Sequence, residues 1–93
     1  MVGERIKNLR MSFNLTQPEF AKRLKISKQC VSNWENGYIQ PSVDMVMRIA
    51  DFFNVSTDFL LGRDNKNTID VDGLSIEEVA HIKLIISDIL KRK

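Results

Sequence analysis

Residues 15–37 read LTQPEFAKRLKISKQCVSNWENG, and they hold two helix starts of one design, eleven positions apart. In the first, Leu15 precedes the hydroxyl cap Thr16, Glu19 stands where a capping box needs it, and Phe20 lies where it can staple back onto Leu15. In the second, Ile26, Ser27 and Val31 repeat the frame. The spacing leaves room for a helix of about two turns, Gln17 to Leu24, and a brief turn before the next helix. Asn36-Gly37 is the stop signal that follows.

The second helix is divided. At roughly 100° per residue, Lys28, Gln29, Ser32, Asn33 and Asn36 fall within an arc of about 140°, while Cys30, Val31 and Trp34 take the other side. A face meant only for water is usually Glu and Lys. Asn and Ser are poorer helix formers by a few tenths of a kcal/mol each. Amides and hydroxyls are useful where donors and acceptors must be matched together, as along the edges of base pairs. On these residues alone, an ordinary wet helix remains the alternative.

Outward from this pair the same signals recur. A first helix is expected from about Val2 or Gly3 to Phe13, with Ile6, Leu9 and Phe13 as its buried stripe and Asn14 closing it in the left-handed conformation. Ser42 caps a fourth helix with Val46, Ile49, Ala50 and Phe53 as core face and Asn54 at its end. Val55-Ser56, with Leu60 as the staple partner, starts a short fifth helix that stops at Gly62. Five short helices joined by brief turns predict an all-α bundle over residues 1–63.

Residues 64–74 read as a polar linker. Ser75 with Glu78 is then a second capping box, and Leu74 with Val79 a staple. Beyond them Ile82, Ile85, Ile86, Ile89 and Leu90 fill an apolar arc of about 140° on a helix over 75–93 that ends Lys91-Arg92-Lys93, cations that suit its dipole.

The 93 residues suffice for one domain, and the formal net charge is +2. Residues 1–63 hold nine Lys or Arg against six Asp or Glu, and residues 64–93 five against six, so a modest basic surplus lies with the bundle. The single Cys30 can make no internal disulfide, no run approaches the ~18 apolar residues of a membrane span, and a reducing cytoplasm is expected. No constellation suggests catalysis, a cofactor or a metal. Asp70-Val71-Asp72-Gly73 imitates part of a calcium loop, but the closing carboxylate would fall at Val79. His81 reads as a surface residue and Cys30 as a small core residue. Phe20, Trp34 and Phe53, at helical spacing among Leu and Ile, read as core and not as stacking platforms.

Leu-Thr-Gln-x-x-Phe-Ala-x-x-Leu, Ile-Ser, Val-Ser-x-Trp-Glu-Asn-Gly, Pro-Ser and Asn-Val-Ser-x-x-x-Leu-Leu, in order from Leu15 to Leu61, resemble the phage-repressor type (Cro/C1, Xre-like) helix-turn-helix domains. The resemblance implies a five-helix domain that binds double-stranded operator DNA, usually as a dimer. It assigns Lys28, Gln29, Ser32 and Asn33 to base edges, Gln17 to a phosphate, and Asn36, Tyr38 and Gln40 to a second phosphate flank. Arg10 and Glu35 stand where such domains join the first and third helices by an ion pair. One position departs. Lys25 stands where the turn usually has Gly, and a left-handed backbone there costs on the order of 1 kcal/mol.

Val79, Ile82, Ile86 and Ile89 form a heptad-like series, with Ile85 and Leu90 beside them, so the last helix is expected to make a homodimer, the alternative being that it folds back on the five-helix domain. The function expected is that of a bacterial or phage-encoded transcription repressor occluding a promoter at a pseudo-palindromic operator. The alternative is an antitoxin-like interaction module with autoregulatory DNA binding, whose protein partner is a toxin; an antirepressor protein would be the partner of a repressor. An enzyme is not expected, since a self-cleaving peptidase would need chain beyond Lys93.

Overall fold

The computed structural model describes residues 2–64 and 71–92. In chain order the helices are α1 (Val2–Ser12), α2 (Gln17–Leu24), α3 (Lys28–Glu35), α4 (Val43–Phe53), α5 (Thr57–Leu60) and α6 (Ile76–Lys91). Among the described residues there is no strand, and the chain is all-α. Residues 65–70, most of the expected linker, lie outside the described residues, as does Lys93 at the end of the last helix.

The helix starts follow from one piece of chemistry. Thr16, Ser27, Ser42, Ser56 and Ser75 each hold an extended backbone, and each side-chain oxygen accepts the N–H three residues on. Each such cap is worth about 1 kcal/mol over Ala. Both expected capping boxes form, Thr16 with Glu19 and Ser75 with Glu78. The Thr16 backbone N–H, and then its hydroxyl, hold the Glu19 carboxyl below its ordinary range. What that box adds to stability is therefore complete above the ordinary carboxylate pKa and is lost as pH falls through the lowered one.

The helix ends are equally uniform. Asn14, Lys25 and Asn54 adopt left-handed φ values of 57°, 60° and 55°. The next residues, Leu15, Ile26 and Val55, donate their N–H groups to Arg10 O, Ala21 O and Ala50 O at 3.1, 3.0 and 3.0 Å. These are Schellman closures. After α3, Gly37 takes the left-handed place at φ 76°, and Tyr38 donates to Asn33 O at 2.9 Å. Leu15, Ile26 and Val55 also pack against the core, so each closes one helix and leads into the cap of the next.

Phe20 is the fully buried centre of that core, with the rings of Phe52 and Phe53 at 5.5 and 5.2 Å. Ile6, Leu24, Val31, Trp34, Ile49 and Leu60 surround it. Phe13 is a correction: α1 ends at Ser12, and Phe13 stays 49% exposed, edge-on to Phe53 at 4.9 Å. The 3–4 spacing carried the stripe past the point where the left-handed Asn14 forces the helix to close. The buried place on α1 is taken by Arg10. Cys30 is only half-buried, packed against the core's edge. Phe59, absent from the expected core, is buried with the Arg5 guanidinium 4.1 Å from its ring centre.

Gly3 brings α1 onto the end of α3. A Cβ there would collide with the carbonyl oxygen of Trp34, so the two backbones touch. By contrast α6 buries no residue at all; Val79 and Ile82 are half-buried, and Ile85, Ile86, Ile89 and Leu90 are exposed. No described helix is long and apolar enough to cross a membrane.

Lys25→Gly should relieve the left-handed strain by more than it adds to unfolded-chain entropy, raising stability by a few tenths to about 1 kcal/mol. A urea midpoint that stays put or falls would show that the turn does not carry that strain.

Candidate nucleic-acid interface

Burial sets the rotation of α3. Val31 and Trp34 are sunk in the core, which turns Lys28, Gln29, Ser32 and Asn33 to the opposite side together. Lys28 and Gln29 are exposed and Ser32 and Asn33 half-buried. The face is internally linked: Gln29 Nε2 donates to Asn33 Oδ1 at 3.0 Å, and Asn36 Nδ2 donates to Ser32 Oγ at 3.3 Å. Both bonds join residues four apart, the spacing at which helix side chains meet. Gln29 is left with its own carbonyl oxygen and its second amide hydrogen.

Gln17, the first residue of α2, is half-buried beside the end of α3. Its Nε2 donates to Glu35 Oε1 at 3.0 Å. The same carboxylate accepts Arg10 Nε at 2.7 Å and Arg10 Nη2 at 3.1 Å, while Arg10 Nη1 donates to Leu15 O at 2.6 Å. The two charged side chains are only 10% and 2% exposed. Burying charges costs desolvation, which excellent geometry and filled hydrogen-bonding positions offset. Among the described residues no buried side-chain polar atom lacks a partner.

This network joins α1, the start of α2 and the end of α3. The Arg10–Glu35 pair stands as the resemblance implied; the Gln17–Glu35 bond went unread, because no periodic pattern connects two polar residues eighteen positions apart. Arg48 was also missed. Its Nη2 donates to Leu24 O at 2.5 Å, tying α4 to the end of α2. Tyr38 and Gln40 lie exposed beyond α3, beside Gly37 and Asn36. His81 is exposed on α6, away from any group of metal-ligating side chains among the described residues.

The family model described as Helix-turn-helix matches residues 6–60, from the first fully buried position of α1 through α5. The chain belongs to the helix-turn-helix family. Among relatives of this helix-turn-helix protein, the transcriptional regulator ImmR of Bacillus subtilis is 38% identical over 80 residues, 83% of this chain and 63% of ImmR. The antitoxin PezA of Streptococcus pneumoniae is 41% identical over 64 residues, 69% of this chain and 40% of PezA. The cryptic phage CTXphi transcriptional repressor RstR of Vibrio cholerae is 28% identical over 99 residues, 98% of this chain and 88% of RstR. A transcriptional regulator from Listeria innocua shares the fold, with a TM-score of 0.65 at 22% identity over 96% of this chain and 92% of that one. The chain thus spans less than two thirds of the length of ImmR and of PezA.

Removing one partner of the buried pair leaves the other charged and unpaired. Arg10→Ala should cost about 3–5 kcal/mol in urea unfolding. A loss below about 1 kcal/mol would show that the network is not what holds α1 to α3.

Proposed function

We propose that this helix-turn-helix chain is a cytoplasmic, sequence-specific transcription regulator that acts as a repressor, binding a pseudo-palindromic operator in double-stranded DNA as a homodimer. The observation that carries the reading is the α3 face of Lys28, Gln29, Ser32 and Asn33, turned outward by Val31 and Trp34. In this motif the second helix enters the major groove with its N-terminal residues on base edges, while the first crosses the backbone. Lys28 suits guanine O6 and N7. Gln29 offers the acceptor and donor that adenine N6 and N7 require, and its bond to Asn33 holds the amide plane before DNA arrives.

Gln17 meets a phosphate at the start of α2 with its side chain and its own backbone N–H, since Pro18 has no N–H and Glu19 gives its N–H to Thr16. Glu35 holds one of its amide hydrogens, and the second is free to donate outward. Asn36, Tyr38 and Gln40 take the other phosphate flank. The α6 stripe of Val79, Ile82, Ile85, Ile86, Ile89 and Leu90 joins two copies, and their two α3 helices take half-sites about one helical turn apart, or a multiple of it. The likeness to RstR, named as a repressor and aligned over most of both chains, supports occlusion of a promoter.

The likeness to PezA favours one second reading, an antitoxin whose α6 captures a toxin and whose DNA binding is autoregulatory. A small toxin-like reading frame beside the gene would favour it; a divergent promoter would favour the repressor.

Gln29→Ala or Asn33→Ala should cost about 1–3 kcal/mol at the selected operator and relax preference at one base position, whereas Gln17→Ala should weaken all sequences alike. Binding to randomised oligonucleotides measures both, and equal losses on every sequence from all three variants would sink the base-reading assignment. Ile82→Asp combined with Ile86→Asp should leave α1 to α5 folded and the protein monomeric by sedimentation. A dimer that survives would remove α6 from the interface.

A further inference from the structure

None of the sixteen residues of α6 is buried, yet the helix carries a stripe of β-branched side chains and opposite charges at its two ends. Glu77 and Glu78 lie in the first turn, and Lys91 with Arg92 at the last. In heptad terms Val79 and Ile86 occupy a positions and Ile82 and Ile89 d positions, flanked at e by Ile76, Lys83 and Leu90 and at g by Glu78, Ile85 and Arg92.

We propose that α6 pairs with α6 of a second copy in antiparallel orientation. Val79 then packs against Ile89 of the second copy and Ile82 against Ile86, about a two-fold axis near Leu84 and Ile85. This rests on the dimer reading of α6 above and adds its direction and register.

Three features fix the direction. First, β-branched residues fill both a and d, a pattern that in parallel coils favours three or four strands, so it speaks against a parallel pair. Second, a parallel pair would gather Glu77 and Glu78 of both copies at one end and Lys91 and Arg92 of both at the other, like charges at each end. The antiparallel pair brings Glu78 to Arg92 of the second copy on both sides of the axis, with Ile85 meeting itself between them. On the other flank Ile76 meets Leu90. Third, opposed helix dipoles attract where aligned ones repel.

The groups needed are available. Glu78 spends Oε1 on the Ser75 N–H at 2.8 Å, which leaves its other oxygen. Arg92 pairs with Asp88 at 2.8 Å, but these side chains are 75% and 62% exposed, and such pairs hold their partners weakly. One contact is adverse, Lys83 against Lys83 near the axis. A parallel pair would instead give Lys83 an attractive neighbour in Glu78 of the second copy, and that contrast supplies the test.

Sedimentation equilibrium of the full chain at about 50 mM salt, where exposed charges are little screened, compares six proteins. They are the parent, Arg92→Glu, Glu78→Lys, the two combined, Lys83→Glu, and Ile82→Asp with Ile86→Asp. Arg92→Glu should loosen the parent dimer about fivefold to tenfold, and should tighten the Glu78→Lys protein. The two positions lie about 21 Å apart along one helix, so that reversal of sign cannot arise within a chain. Lys83→Glu should change the dissociation constant by less than about twofold. Loosening by Lys83→Glu with no effect of Arg92→Glu means a parallel pair and overturns the proposal. An intact dimer in the Ile82→Asp, Ile86→Asp protein overturns the dimer reading itself, a different result from the wrong direction.

Discussion

The carboxylate of Glu35 is the point on which the placing of the outward face of α3 depends. Hydrophobic burial of Val31 and Trp34 decides how α3 is rotated, but apolar contacts are non-directional and leave a helix free to slide along its axis. The carboxylate is directional. With Arg10 on one side and Gln17 on another, it stops the end of α3 against α1 and the start of α2. Gln17 at the N-terminus of α2 and the outward residues of α3, which we propose meet phosphate and bases, are thus set in one frame by one buried group.

What the sequence discloses here is what local chemistry controls. Hydroxyl caps, capping boxes and left-handed closures act over three to six residues, so Thr16, Ser27, Ser42, Ser56 and Ser75 could be read directly, as could Asn14 and Asn54, while the left-handed place at Lys25 came by resemblance. Phe13 failed for the complementary reason. Periodicity says which face a residue would occupy if the helix continued, and Asn14 ends it first. Of the site, the composition of the α3 face was readable and the ion pair of Arg10 with Glu35 came by resemblance. The bond from Gln17 to Glu35 depends on where two helices meet in space. The α6 pattern announces an apolar face, and the helix buries none of its residues.

The bundle is economical in its connections. Three times a left-handed residue, an apolar residue and a hydroxyl cap follow one another: Asn14-Leu15-Thr16, Lys25-Ile26-Ser27 and Asn54-Val55-Ser56. The middle residue donates to the helix behind it and packs on the core. Such turns form through contacts close in the sequence, the kind of contact that low contact order associates with fast folding. Their backbone hydrogen bonds help offset the Cβ strain that a Lys brings to the second of them.

The contact at Gly3 sets a further property of α3. Because backbone meets backbone there, with no side chain between, the separation of α1 from the end of α3 is a fixed gauge and not a matter of side-chain volume. The side chains at 28, 29, 32 and 33, which we propose read bases, can therefore be exchanged without tilting the helix that carries them. A scaffold held at such a stop can diverge in the sequence it recognises while keeping the geometry of its approach.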